Sequence, residues 1–178
     1  MTTASPAGLQ VQIGDQMPLV GLRATDGYLL NLRSFVTKQP VLLLFFGAPT
    51  HTGAARRRGL KAVQGVAAGY VRLREAGIAV AAVSTDSEQQ QTDFAKKHEL
   101  PYLLLSDERR TAVAVLGIET VAVGENVNVS APVALAVDRE GIIRAVIDPV
   151  EPDAIVDQAM RALSEPIPAA TEDAPSGA

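Results

Sequence analysis

Between Thr50 and Arg58 the chain reads Thr-His-Thr-Gly-Ala-Ala-Arg-Arg-Arg, and the side chains best suited to chemistry lie close together there. His51 could bind a ligand or move a proton, since an imidazole changes charge near neutral pH. It stands in a loop ahead of a helix with no catalytic partner nearby in sequence, so the plainer reading is a solvated loop histidine. The hydroxyl of Thr52 is a weak nucleophile without a partner base. Its other role is to cap the helix that follows, a position where Thr is strongly favoured. Arg56, Arg57 and Arg58 put three cations into a first helical turn, against the helix dipole. With the free N–H groups of that turn they could hold a phosphate or carboxylate. As a solvated run they cost on the order of a few tenths of a kcal/mol each, screened by salt.

Several chemistries are excluded by composition. The chain has no cysteine, so disulfides, thiolate metal sites and cysteine nucleophiles are absent. Two histidines far apart, His51 and His98, give no metal-ligand cluster, and no cofactor is implied. His98, near a helix end where positive charge is welcome, reads as structural. Asp107-Glu108 reads as surface charge rather than an acid/base dyad. Neither a G-x-x-x-x-G-K loop nor a G-x-S-x-G elbow occurs. A net charge of −4 argues against nucleic acid as a partner. No apolar run reaches the roughly 18 residues of a membrane helix. The opening residues lack the basic and apolar regions of a secretory signal, and a cytoplasmic protein is expected.

The elements that would position these residues follow from the apolar pattern. With 178 residues the chain suits one domain, and with aromatic residues at only 4% its core must be built from Val, Leu, Ile and Ala. That domain is expected over residues 10–163, between a loose arm at 1–9 and a disordered tail at 164–178 rich in Pro, Ala, Ser and Glu. Leu19 to Thr25 and Tyr28 to Leu32 flank Asp26-Gly27, a hairpin signal. Val41 to Phe46, Ile78 to Val83 and Tyr102 to Leu105 are apolar runs of strand length. Val133 to Val137 and Ile142 to Ile147 flank a second turn at Asp138-Arg139-Glu140-Gly141. Helical spacing predicts one long helix from Thr52 to about Ala76, stopped by Gly77, and others over Ser87 to His98, Arg109 to Leu116 and Asp153 to Leu163. Gly117 to Asn128 reads as a hairpin or extended loop near the same end of the sheet. The order predicts an α/β fold: a mixed central sheet with helices on both faces and an N-terminal β-hairpin, a thioredoxin-like layout.

Several stretches carry a family resemblance. Gly14-Asp15-Gln16-Met17-Pro18 is similar to a G-D-x-x-P motif, followed in rhythm by Leu22, Asp26-Gly27, Leu32 and Phe35. Val83-Ser84-Thr85-Asp86-Ser87 looks like the segment after a second core strand. Leu100-Pro101 with Leu105-Ser106-Asp107 looks like F-P-L-L-S-D, and Val137 to Arg144 is similar to V-D-x-x-G-x-I-R. Together, from about Ile13 to Ile147, they resemble the peroxiredoxin family of the alkyl hydroperoxide reductase and thiol-specific antioxidant type.

The resemblance implies a thiol peroxidase fold, and it also marks what is missing. The family's P-x-x-x-T-x-x-C motif, with its Thr placed on Thr52, puts Ala48 at the Pro and Ala55 at the peroxidatic Cys. The family Arg ahead of the late strand falls on Pro132. Only Thr52 matches. Peroxide reduction needs a thiolate that becomes a sulfenic acid, and an alanine methyl has no lone pair to attack with. A second alignment, on the thioredoxin segment before C-x-x-C, puts His51 and Ala54 at the cysteines and Pro132 where thioredoxins carry a cis-proline. Neither register supplies a thiol. The reading is a pseudo-enzyme acting by binding a protein at the vestigial face or a small anion at Arg56 to Arg58. The resemblance also implies a homodimer. The alternative is an active peroxidase whose cysteine has been replaced by alanine at position 55, but a single replacement would leave Pro and Arg at 48 and 132.

Overall fold

The computed structural model describes residues 8–24, 29–36 and 38–164. The run Val41-Leu42-Leu43-Leu44-Phe45 forms a strand buried at every residue. Side chains alternate across a strand, so burial throughout requires packing on both faces of the sheet. In chain order the strands are β1 (Gly21–Ala24), β2 (Leu29–Asn31), β3 (Val41–Phe45), β4 (Ala79–Ser84), β5 (Leu103–Ser106), β6 (Thr120–Val123), β7 (Asn126–Val129), β8 (Val133–Val137) and β9 (Ile143–Ile147). The helices are α1 (Leu32–Val36), α2 (Gly53–Ala68), α3 (Tyr70–Glu75), α4 (Glu88–Lys97), α5 (Thr111–Leu116) and α6 (Ile155–Ser164).

Seven strands form one mixed sheet in the order β2-β1-β5-β4-β3-β8-β9, and β6 pairs with β7 as a separate hairpin. Strands β3, β4 and β5 run parallel, whereas β1 is antiparallel to β5 and β8 to β3. Leu43 and Phe45 of β3 face a core closed by α1 and α5, with Met17 and Val20 from the N-terminal segment. Leu42 and Leu44 face a second core made with α2, α3, α4 and α6. This is the expected thioredoxin-like architecture.

The long helix is a point of difference. It breaks at Gly69 into α2 and α3, although the apolar spacing runs through the break. Glycine is a poor helix former, and Gly69 leaves the helical backbone at φ −102°, ψ 9°. A Cβ on Gly65 would lie 2.5 Å from the Pro152 carbonyl oxygen, and one on Gly69 would lie 2.6 Å from Val156 Cγ2. The chain around α6 presses onto this side of the helix, and only glycine lets it approach. The stop falls where expected, with Gly77 left-handed at φ 75°.

Smaller differences have local causes. The five-residue α1 has too few turns to show a period. Helix α5 starts at Thr111, after Arg110 turns the chain at φ 60°. Helix α6 starts at Ile155, after turn residues over 152–154. Helix α4 carries a full capping box between Ser87 and Gln90.

The Gly14–Met17 stretch runs along the outer side of β9. The Gly14 N–H donates to Ile143 O (2.8 Å), the Ile143 N–H to Asp15 O (2.9 Å) and the Met17 N–H to Gly141 O (2.8 Å). The expected Asp26-Gly27 turn, most of the arm at 1–9 and the tail beyond Ser164 lie outside the described residues. Among those that are described, Leu9 packs against the first core. No helix among the described residues is long and apolar enough to cross a membrane.

Candidate functional site

Parallel strands gather their carboxyl ends on one side of a sheet, and the loops leaving them are where open α/β sheets bind ligands. Here β3, β4 and β5 deliver the Gly47–Thr52 loop, Thr85-Asp86 and Asp107-Glu108 to that side. The β6–β7 hairpin lies against them: Thr85 Oγ1 donates to Val127 O (2.5 Å).

The loop after β3 is fixed from two directions. His51 is only 4% exposed, and its Nε2 lies 2.5 Å from Val129 O on the hairpin. The solvated loop histidine expected from the sequence is therefore incorrect: the hairpin covers the ring. Gly47 makes room for it, since a Cβ there would collide with the ring atoms Nε2 and Cδ2. From the other side, Arg56 Nη1 donates to Ala48 O (3.4 Å) and Pro49 O (3.3 Å).

Thr52 occupies the cap position of α2 with extended backbone (φ −126°, ψ 166°), but its side chain makes no capping hydrogen bond. Ala55, in the first turn of α2, is half-buried, and Arg57 and Arg58 are exposed. Successive helical residues point about 100° apart, so three consecutive arginines fan out rather than converge. Arg56 is turned back onto the loop carbonyls. Ala48 is fully buried, with its Cβ 3.1 Å from where a Cβ on Gly59 would stand. Pro132 is buried just before β8, at the level of the β3 terminus, because Val133 pairs with Phe45. The cis peptide bond among the described residues precedes Pro149, so the bond before Pro132 is trans and the cis-proline of the thioredoxin alignment is not found.

A cleft of about 320 Å³ opens beside this loop, on its Thr50 side. Thr50, Thr85, Asp86, Glu108, Arg110 and Glu125 contribute to its walls. Thr50 and Asp86 of these walls belong to a hydrogen-bonded set that sequence reasoning did not assemble. The Asn128 amide donates to Thr50 Oγ1 (2.7 Å) and to both oxygens of Asp86 (3.1 Å each), while Ser106 Oγ donates to Asp86 O (2.7 Å). Asn128 and Asp86 are 1% and 2% exposed. The one signal available in sequence was the place of Thr85-Asp86 directly after a buried strand.

Two titrating groups border the site. Burial pushes the Asp107 carboxyl above the usual aspartate value, and the N–H groups of Val113, Ala112 and Thr111 pull it partly back. Burial, then the charges of Lys97 and Arg56, lower His98 below the ordinary histidine value. Its ring packs on Phe94 at 4.6 Å, with Nε2 buried and unpartnered. The expectation that positive charge is welcome at His98 is thus reversed by its neighbours. No cluster of three His, Asp or Glu able to hold a metal occurs among the described residues.

The strand order, the helices on both faces and the loop at the head of α2 define a thioredoxin-like domain. A peroxidoxin BcpB from Mycobacterium tuberculosis superposes with a TM-score of 0.72 at 22% identity, covering 86% of this chain and 96% of the other. A cysteine-to-serine mutant of PrxQ from Xylella fastidiosa gives 0.69 at 15% identity, covering 86% and 96%. In sequence, a bcp-type peroxiredoxin of Coxiella burnetii is 26% identical over 148 residues, spanning 82% of this chain and 93% of that protein. Peroxiredoxin Q from Populus jackii chloroplasts is 26% identical over 155 residues, spanning 86% and 68%. The AhpC/TSA family model matches residues 13–146, and the chain belongs to that family. It does so without a cysteine.

Proposed function

We propose that this AhpC/TSA domain has given up hydroperoxide reduction and acts by binding a protein partner over the face where its family keeps a thiol. One observation carries the reading: the first turn of α2 presents the methyl of Ala55 where the family resemblance places a thiolate, and the chain holds no thiol elsewhere. Hydroperoxide reduction proceeds by thiolate attack on oxygen, for which neither a methyl nor an unactivated threonine hydroxyl can substitute. Around Ala55 stand Thr52 at the head of α2 and Arg57 and Arg58 in its first turns, all exposed, and the loop before the helix is held by His51 and Arg56. An exposed basic rim beside Ala55 suits a protein partner. It suits a small anion less well, because the guanidiniums diverge. A second copy of the chain is the first partner to test.

The experiment is Ala55→Cys, assayed for hydroperoxide consumption with a thiol reductant. Without the family Pro and Arg at 48 and 132, the new thiol lacks the electrostatic support that makes a thiolate reactive, and only slow, stoichiometric reaction is expected. Sustained turnover would overturn the reading in favour of a peroxidase lacking one atom. Sedimentation of the unmodified chain against Arg58→Glu tests the partner: a dimer through this face would be weakened by the charge reversal.

A further inference from the structure

The β6–β7 hairpin is held to the rest of the molecule through one of its two edges. Antiparallel ladders alternate between hydrogen-bonded and non-bonded residue pairs. The Ser130 N–H donates to Glu119 O (3.0 Å), which sets the phase. Val121 with Asn128 and Val123 with Asn126 are then the bonded pairs, and Thr120 with Val129 and Ala122 with Val127 the non-bonded ones. In β7 the outward carbonyls are taken: Thr85 Oγ1 donates to Val127 O, and His51 Nε2 meets Val129 O. In β6 the matching groups are open. Among the described residues β6 pairs with β7 alone, and no hydrogen bond reaches the N–H or C=O of Thr120 or Ala122.

This edge lacks the usual protections against pairing. Thr120, Val121 and Ala122 are exposed, Val121 at 44%, and the strand carries no charge, proline or bulge. It offers no charge for a foreign strand to read, and pairing with itself needs none. Across a two-fold axis the edge is self-complementary when Thr120 meets Ala122 of the second copy. Every outward group of both residues then finds a partner, Val121 faces Val121, and Glu119 lies opposite Val123. Sliding the register one way sets Glu119 against Glu125, a repulsive pair of like charges. Sliding it the other way brings in Ile118, whose N–H is already donated to Val113 O (2.9 Å). We propose that two copies of this chain join β6 to β6 in the self-complementary register, making one continuous sheet from two hairpins. The contact is independent of the face around Ala55 and leaves it free.

A strand of 4 residues makes a contact smaller than a standard stable interface, so the dimer forms at high concentration. Sedimentation of the full chain up to about 1 mM should show a reversible monomer–dimer equilibrium. Ala122→Pro removes an outward N–H without touching the β6–β7 ladder, and dimer affinity should fall about ten-fold or more. Should that variant disturb the hairpin, Val121→Lys on the exposed surface should weaken the dimer as much, by opposing like charges at the two-fold axis. Arg58→Glu should leave it unchanged. Because the chain has no cysteine, a single introduced one reports the register. The Cα atoms of a non-bonded pair stand about 4.5 Å apart, within disulfide reach. Val121→Cys should therefore cross-link readily under mild oxidation, and Val123→Cys should not. A chain monomeric at about 1 mM would overturn the proposal and leave the edge to a strand of another protein. So would a dimer indifferent to Ala122→Pro and Val121→Lys, or equal cross-linking through position 123. A dimer lost only in Arg58→Glu would overturn it too, while supporting the function proposed for the Ala55 face.

Discussion

The two sides of the Gly47–Thr52 loop are built on opposite terms. On one side Thr52, Arg57 and Arg58 stand exposed around Ala55, and the Thr52 hydroxyl leaves the helix end uncapped. On the other, Thr50 and Asp86 are hydrogen-bonded to Asn128 of the β6–β7 hairpin. The residue types that look most chemical in the sequence sit on the first side, and the assembled polar network sits on the second. Reactivity suggested by composition and order enforced by burial are different properties, and this chain separates them by the width of one loop.

Substitutions can break that contrast, beginning with the loop itself. Gly47→Ala drives a Cβ into the His51 ring and to 2.5 Å from Val129 O. One side of that clash is backbone, so a loss of about 3 kcal/mol is expected in chemical denaturation. Asn128→Ala removes the one donor shared by Thr50 and the buried Asp86 carboxylate and should cost about 2 kcal/mol by the same measurement. A smaller effect lies in the pH dependence. The unfolded chain takes up a proton at His98 near its ordinary value of 6.5, whereas the folded chain takes it up only at lower pH. Below the ordinary value the unfolded state therefore holds more protons. The contribution of neutral His98 is complete above it and is lost as pH falls toward the depressed folded value. Thermal melts between pH 5 and 8 should show that slope, and His98→Gln should flatten it. The smallest change belongs to the exposed side. Thr52→Ala should alter stability by no more than about 0.5 kcal/mol, against about 1 kcal/mol for a threonine whose side chain caps its helix. A full capping penalty there would erase the contrast between the two sides.

The sheet was legible because its signals are local. Apolar runs such as Val41 to Phe45 and turn residues such as Asp138 to Gly141 announce themselves within a few positions, and the family rhythm of Gly14 to Arg144 set their order. What stayed hidden depends on residues distant in sequence. The close approach of Val156 to Gly69 joins residues far apart in the chain. His51 is buried because Val129 comes to meet it from a hairpin 78 residues away, and Asp86 meets Asn128 across 42. No periodicity in a short window carries either fact. The absence of a thiol, by contrast, needed no structure.

The strap formed by Gly14 to Met17 has a consequence for how the molecule is made. Gln16 bridges to Ile142, so a segment near the beginning of the chain docks on the last strand of the sheet. On the ribosome these early residues must wait until β9 has emerged, and β9 needs β8 beside it. Folding of this domain thus closes where translation of it began, and the early segment stays unpaired while the rest of the sheet is being synthesised.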